Sequence, residues 1–331
     1  MRQRGYILLL TVVVTAVLTV IVSYFAERID AARQFAGRQA DASEALLQMS
    51  DDRADMLFRM ATGVVSVQGL GSPEHLLRLD NRAYVTHNAQ LQLQDAAGLF
   101  SFRFPSPDGM GRLLTACGVS KELFPQLIDV FLDYTDTNSG GLKRLHGATK
   151  EDYAAAGLPP PAGRPLVSPL ELRSMLIWHD LPDDKYRCII QHSTTAVGQI
   201  NVNTADEIVL QTIQGVDAKG AKALIERRLA EQITDSAVIG LVNGEDAVSL
   251  GFSVNTFPSR TLRITQSSPL IGWRLQYEVT MTAYDPHAPW RIDAFRREPV
   301  DVAQAGVLAP KPLPPFDTID TKNDSVLPAS L

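Results

Sequence analysis

The chain has 331 residues, 45% of them hydrophobic, and a formal net charge of −6. That length can bury one large core or two modest ones. The acidic balance argues against a general nucleic-acid surface, which needs clustered Lys and Arg to displace counterions from phosphate.

The chain opens with MRQRG and continues as YILLLTVVVTAVLTVIVSYF, so the 20 residues from Tyr6 to Phe25 contain no charge, Gly or Pro. As a helix rising about 1.5 Å per residue, they match the roughly 30 Å of a bilayer's hydrocarbon layer. A cleaved secretory signal would have a shorter apolar stretch ending at small residues, whereas Ser23, Tyr24 and Phe25 lead into Ala26, Glu27 and Arg28. The segment therefore reads as an uncleaved anchor in membrane lipid. Arg2 and Arg4 put its N-terminal side in the cytoplasm and the bulk of the chain outside it. Cys117 and Cys188 then lie in an oxidising compartment, where a disulfide between them and two buried thiols are equally open readings.

From Glu27 to Thr62 there is no Pro, and Ala32, Ala36, Ala40, Leu47, Ala54, Leu57 and Ala61 recur at helical intervals. This predicts a long amphipathic helix continuing out of the bilayer. The Ala stripe fits close packing on a sheet or another helix, and it equally fits simple helix propensity. In AQLQLQDAAGLFSFRF, Leu91 and Leu93 alternate with Gln, turn residues follow from Asp95 to Gly98, and Phe100, Phe102 and Phe104 alternate with polar neighbours. The expectation is a hairpin whose apolar face covers the helix.

From about Gly111 to Ile239 the period becomes helical, in KELFPQLIDVFLDY, SPLELRSMLIW, ADEIVLQTIQ and AKGAKALIERRLAEQ. Ser168, Pro169 and Glu171 read as an N-cap, a first-turn Pro and a capping box. Strand alternation resumes in RTLRITQ (260–266), WRLQYEVTMTAY (273–284) and WRIDAFRR (290–297). The remainder, rich in Pro, Ala and Asp, shows no period and reads as a disordered tail. The six His are scattered, and there is no HExxH, P-loop or G-x-S-x-G, so the chain is not expected to be an enzyme.

Gly5 between a basic leader and the aromatic Tyr6 resembles the prepilin signal. That resemblance implies cleavage by prepilin peptidase after Gly5 and methylation of the new amino group of Tyr6. Most prepilin-like chains carry Glu at the fifth mature position, which is Leu10 here. Together with LIDVFLDYTDTN, with HGATKEDYAAAGLPPP leading to SPLELRSM, and with INVNTADEIVL, the chain resembles the K-type minor pseudopilins of type II secretion systems, up to about residue 298. The resemblance implies an α+β pseudopilin fold: a long N-terminal helix on an antiparallel sheet with a large inserted helical domain. The expected segments are a leader (1–5), a transmembrane helix (6–26), the pseudopilin helix and first strands (27–110), the inserted helical domain (111–239), C-terminal strands (240–298) and the tail (299–331). It implies a single-pass protein of the bacterial inner membrane, periplasmic in bulk, at the tip of the pseudopilus. Its partners would be I-type and J-type minor pseudopilins and the inner-membrane secretion platform.

The same resemblance implies calcium. Asp133, Asp136 and Asn138 match the family's acidic run, Thr149 replaces a family Glu, and Glu151 and Asp152 are near enough to substitute. Residues 200–228 also resemble the helix-hairpin-helix of DNA-uptake proteins, in which helix N–H groups meet phosphate. Asp217 stands where that motif has its second Gly, and a carboxylate there repels phosphate. The preferred reading is structural: Asn201, Asn203 and Thr204 cap a helix starting near Asp206, and Ile208, Leu210, Ile213, Val216, Ala221 and Leu224 pack the hairpin. Nucleic acid is not an expected partner.

Overall fold

A computed structural model describes residues 4–86, 89–136, 144–234, 254–299 and 310–315, with side chains from residue 7 onward. The first element, α1, is a single helix from Arg4 to Thr62. Its first part, from Ile7 through Asp41, is exposed. It is the one helix among the described residues that is long and apolar enough to cross a membrane.

Two short strands, β1 (Val65–Ser66) and β2 (Gly69–Leu70), close a small hairpin after α1. The main sheet follows. Among the described residues it has six strands: β3 (Asp80–Val85), β4 (Gln90–Asp95), β9 (Thr261–Ser267), β10 (Trp273–Met281), β11 (Trp290–Pro299) and β12 (Lys311–Pro312). Their order is β11-β10-β9-β4-β3-β12, antiparallel throughout except for β12, which runs parallel to β3. Because β4 and β9 are neighbours, the chain between them leaves the sheet and returns to it. Within that excursion lie β5 (Phe100–Ser101), α2 (Pro107–Ala116), α3 (Phe124–Thr135), α4 (Lys150–Ala155), α5 (Asp183–Gln191), β6 (Ser193–Thr194), β7 (Ile200–Asn201), α6 (Glu207–Leu210), α7 (Ala218–Ala230) and β8 (Val254–Asn255).

The sheet is covered on both sides, which is why six of the seven residues of β9 are buried. On one face, Leu91, Leu93, Leu262, Ile264, Tyr277 and Val279 pack against Ala45, Met49, Met56 and Met60 of α1. The opposite face is polar, with buried Gln94, Arg263, Thr265, Gln276 and Glu278, and the inserted unit lies over it. Arg263 forms an ion pair with Glu278 at 2.6 Å and donates to the carbonyls of Gln191, at 2.8 Å, and Ser193. A buried guanidinium needs such saturation, because an unpaired charge costs several kcal/mol, on the order of 3–5 when one partner is removed. The inserted unit has two apolar cores of its own. One gathers Phe100, Phe102, Phe131 and Trp178, with the Trp178 indole donating to Leu127 O at 2.8 Å; the other packs α6 against α7.

Four expectations are corrected here. The stripe Ala32, Ala36, Ala40, Leu47, Ala54 and Ala61 is exposed, and only Leu57 of that set is buried. Ala favours helix without favouring a face, and the unbranched Met side chains fill the sheet contact instead. The hairpin expected at 90–104 does not form. After β4 a 3₁₀ turn at Ala96–Gly98 redirects the chain, and β5 pairs in parallel with β6, so Phe100 and Phe102 serve the core of the inserted unit. SPLELRSMLIW gives only a 3₁₀ turn, Pro169–Ser174, although its capping box is formed. Finally, part of the tail is ordered: β12 joins the sheet, with Leu313 N donating to Val85 O at 3.1 Å and Arg59 donating to Pro314 O at 2.9 Å. Pro312 lacks an N–H, so it is compatible with a strand only at an edge, and β12 is an edge.

Candidate functional site

The point where the inserted unit leaves and rejoins the sheet is built around Asp95, the last residue of β4 and fully buried. Its carboxylate accepts from Ala97 N at 3.1 Å and from Asn201 Nδ2 at 2.9 Å. It also accepts from Thr204 Oγ1 at 3.0 Å, Ser259 N at 2.9 Å and Ser259 Oγ at 2.7 Å. The donors come from the departing chain, the hairpin segment and the returning chain. Asn203 extends the clasp: its amide donates to Ile233 O at 2.7 Å and Thr256 O at 3.1 Å, and its Oδ1 accepts from Ile233 N at 3.0 Å. Asn201, Asn203 and Thr204 are therefore cross-links rather than helix caps, and Asp206 takes the capping role by accepting from Val209 N at 2.9 Å. Asp95 was legible in the sequence only as a turn residue.

The hairpin spends its polar groups internally. Gly215 makes the turn at φ +77°, which favours Gly. Asp217 caps α7 by accepting from Gly220 N at 2.7 Å, which fills the N-terminal position where a phosphate would sit. Arg228 is buried and donates to Val202 O at 2.8 Å and to Ala205 O. Burial pushes its guanidinium pKa down, partly offset by the charges of Asp80 and Asp206. Asp80 beside it feels burial upward, but the Arg82 fork and the charges of Arg228 and Arg78 outweigh this and hold its carboxyl below the usual value. Leu210, Ile213, Val216, Ala221 and Leu224 form the hairpin core, whereas Ile208 packs toward the aromatic core.

Of the residues weighed for calcium, Asp133 lies in the last turns of α3 and Asp136 at its C-cap, while Glu151 and Asp152 begin α4. Asn138 lies outside the described residues. Among the described residues no group of three or more His, Cys, Asp or Glu is arranged to hold a metal ion. Arg144 contacts Asp133 and is 3.8 Å from Asp136. Asp152 is engaged in a capping box with Thr149, its Oδ2 accepting from Thr149 N and Oγ1, each at 2.7 Å. Calcium needs six to eight oxygens around one point. Among the described residues, Asp133 and Asp152 already have other partners.

Gly5 and Tyr6 lie in the first turns of α1. Leu10 follows on the exposed part of that helix. Cys117, the C-cap of α2, is bonded to Cys188 in α5 with a Cα–Cα distance of 5.7 Å, tying two helices of the inserted unit.

The sequence matches no known protein family, and no curated protein matches it. Among solved structures, the chain is similar to one from the GspK-GspI-GspJ complex of the enterotoxigenic Escherichia coli type 2 secretion system. The TM-score is 0.57 at 15% identity, over 79% of this chain and 98% of that chain. At that identity the likeness is one of fold: a long N-terminal helix on an antiparallel-rich sheet with a helical insertion, the pseudopilin-like α+β architecture.

Proposed function

We propose that this protein is a minor pseudopilin at the tip of a type II secretion pseudopilus, where it starts or caps fibre assembly for export of folded proteins. The observation that carries the reading is the fold likeness across 98% of a chain from a complex of three such subunits. An apolar N-terminal helix with Arg2 and Arg4 before it supports anchoring in the inner membrane, with the folded part in the periplasm. On this reading prepilin peptidase cuts after Gly5, and I-type and J-type minor pseudopilins are the partners, working with the inner-membrane platform.

Two features suit a terminal position. Apolar helices of neighbouring subunits pack as they leave the bilayer, and the usual fifth-position Glu neutralises the next subunit's amino group; Leu10 offers no such charge. The inserted unit also covers the sheet face opposite α1, where its bulk obstructs a further subunit. The role is structural, and no catalysis is proposed. The test is co-purification of the full-length chain with the I-type and J-type subunits of the same organism in mild detergent. A stable complex of all three is expected; a chain that stays alone while the other two pair refutes the reading.

A further inference from the structure

The turn at 144–147 folds back onto the carboxylates of α3. Arg144 contacts Asp133 Oδ1 and lies 3.8 Å from Asp136 Oδ2. One helical turn earlier, Asp129 Oδ2 accepts from the backbone N–H of His146 at 3.1 Å. The turn closes on itself through Gly147 N donating to Arg144 O at 3.0 Å, and a Cβ on Gly147 would collide with Asp133 Oδ2. Asp133 is thus enclosed by protein on one side and by a guanidinium on the other, with its side chain only 15% exposed. Two carboxylates in the last turn and at the C-cap of a helix, where the backbone adds partial negative charge, demand a cation.

We propose that Arg144 is the resident counter-cation of this row, supplying from within the chain the bridging charge that the family resemblance assigns to calcium. The inserted unit then folds independently of divalent ions. The chemistry supports the exchange. A guanidinium stays charged at all relevant pH and presents a fixed fork of donors that suits carboxylates. Calcium could enter only by displacing Arg144, which would leave that guanidinium without its acceptors. Of the two neighbouring acids that could add oxygens, Asp152 is held in its box with Thr149.

The experiment is thermal unfolding of the full-length chain in nonionic detergent, in millimolar calcium chloride and in EGTA, for the wild type, Arg144→Gln and Arg144→Lys. The wild type is expected to unfold at one temperature in both media. Arg144→Gln in EGTA should fall by roughly 2–4 °C, the shift for about 1 kcal/mol in a folded unit of this size, and Arg144→Lys should recover part of it. Calcium raising the wild-type midpoint by a comparable amount overturns the proposal, as does an Arg144→Gln protein as stable as the wild type. Titration calorimetry of calcium chloride into the wild type covers the case in which Arg144→Gln fails to fold: no saturable heat upholds the proposal and saturable binding overturns it.

Discussion

Replacing Asp95 by Ala should loosen the inserted unit from the sheet. Its five accepted hydrogen bonds vanish together. Ser259 Oγ keeps an alternative acceptor in Thr261 O at 2.8 Å, and Thr204 Oγ1 keeps a weak one in Asn201 O at 3.4 Å. Ala97 N and Asn201 Nδ2 are left buried and Ser259 N half-buried without their acceptor, at about 1–3 kcal/mol for each buried group. Removing the buried charge returns some desolvation energy and water entry relieves more, so the net loss should be roughly 3–5 kcal/mol. That is a large share of the ordinary 5–15 kcal/mol of a folded protein. Asp95→Asn keeps one acceptor oxygen and turns an N–H₂ toward donors, so about half of that loss is expected. The assay is urea unfolding read by single-Trp variants: Trp178 reports on the inserted unit, and Trp273 and Trp290 report on the sheet. In the wild type the two signals should coincide; in Asp95→Ala they should separate. A loss under about 1 kcal/mol with coincident signals would refute the clasp.

Strong acid should remove the contribution of Asp80. Against burial, the Arg82 fork and the charges of Arg228 and Arg78 hold its folded-state pKa below the ordinary carboxylate value of 3.8, so the stability it contributes is complete above the unfolded value and is lost as pH falls through the folded one. Asp80→Asn should therefore lower stability at neutral pH and flatten the loss below about pH 4, read from unfolding midpoints against pH; an unchanged slope contradicts this. Cutting the Cys117–Cys188 bond, which closes a loop with a sequence separation of 71, should cost up to about 4 kcal/mol by the chain-entropy relation, seen as a lower midpoint in reductant or in a double Ser variant. If both unfold like the oxidised wild type, the bond contributes nothing. In DNA retention at low salt, the protein should show no salt-steep binding, and Lys219→Ala with Lys222→Ala should change nothing; retention lost on those substitutions would restore the DNA reading of the hairpin.

How much of this was legible depended on whether local pattern and tertiary role agreed. The strands β9 and β10 alternate because one sheet face meets α1 through Leu262, Ile264, Tyr277 and Val279, and so their sequences announced them. Phe100 and Phe102 alternate just as well, yet their partners are in the inserted unit, a contact with Ser193 and Thr194 that no local period carries. The burial of α1 misled for a related reason: Ala marks helix, while Met49, Met56 and Met60 carry the contact. INVNTA was visible as a motif, but its partners, Asp95, Ile233 and Thr256, are far along the chain. Arg144 gave no signal, because a lone Arg after an acidic run reads as a solvated charge until the turn brings it back.

The central claim is a terminal place in the pseudopilus, and the most direct test is immunogold labelling of an epitope in the inserted unit on sheared, overproduced fibres. The account predicts gold at one end of each fibre and none along its length. Gold spaced regularly along the shaft, or fibres of normal number and length in cells lacking this protein, would contradict it.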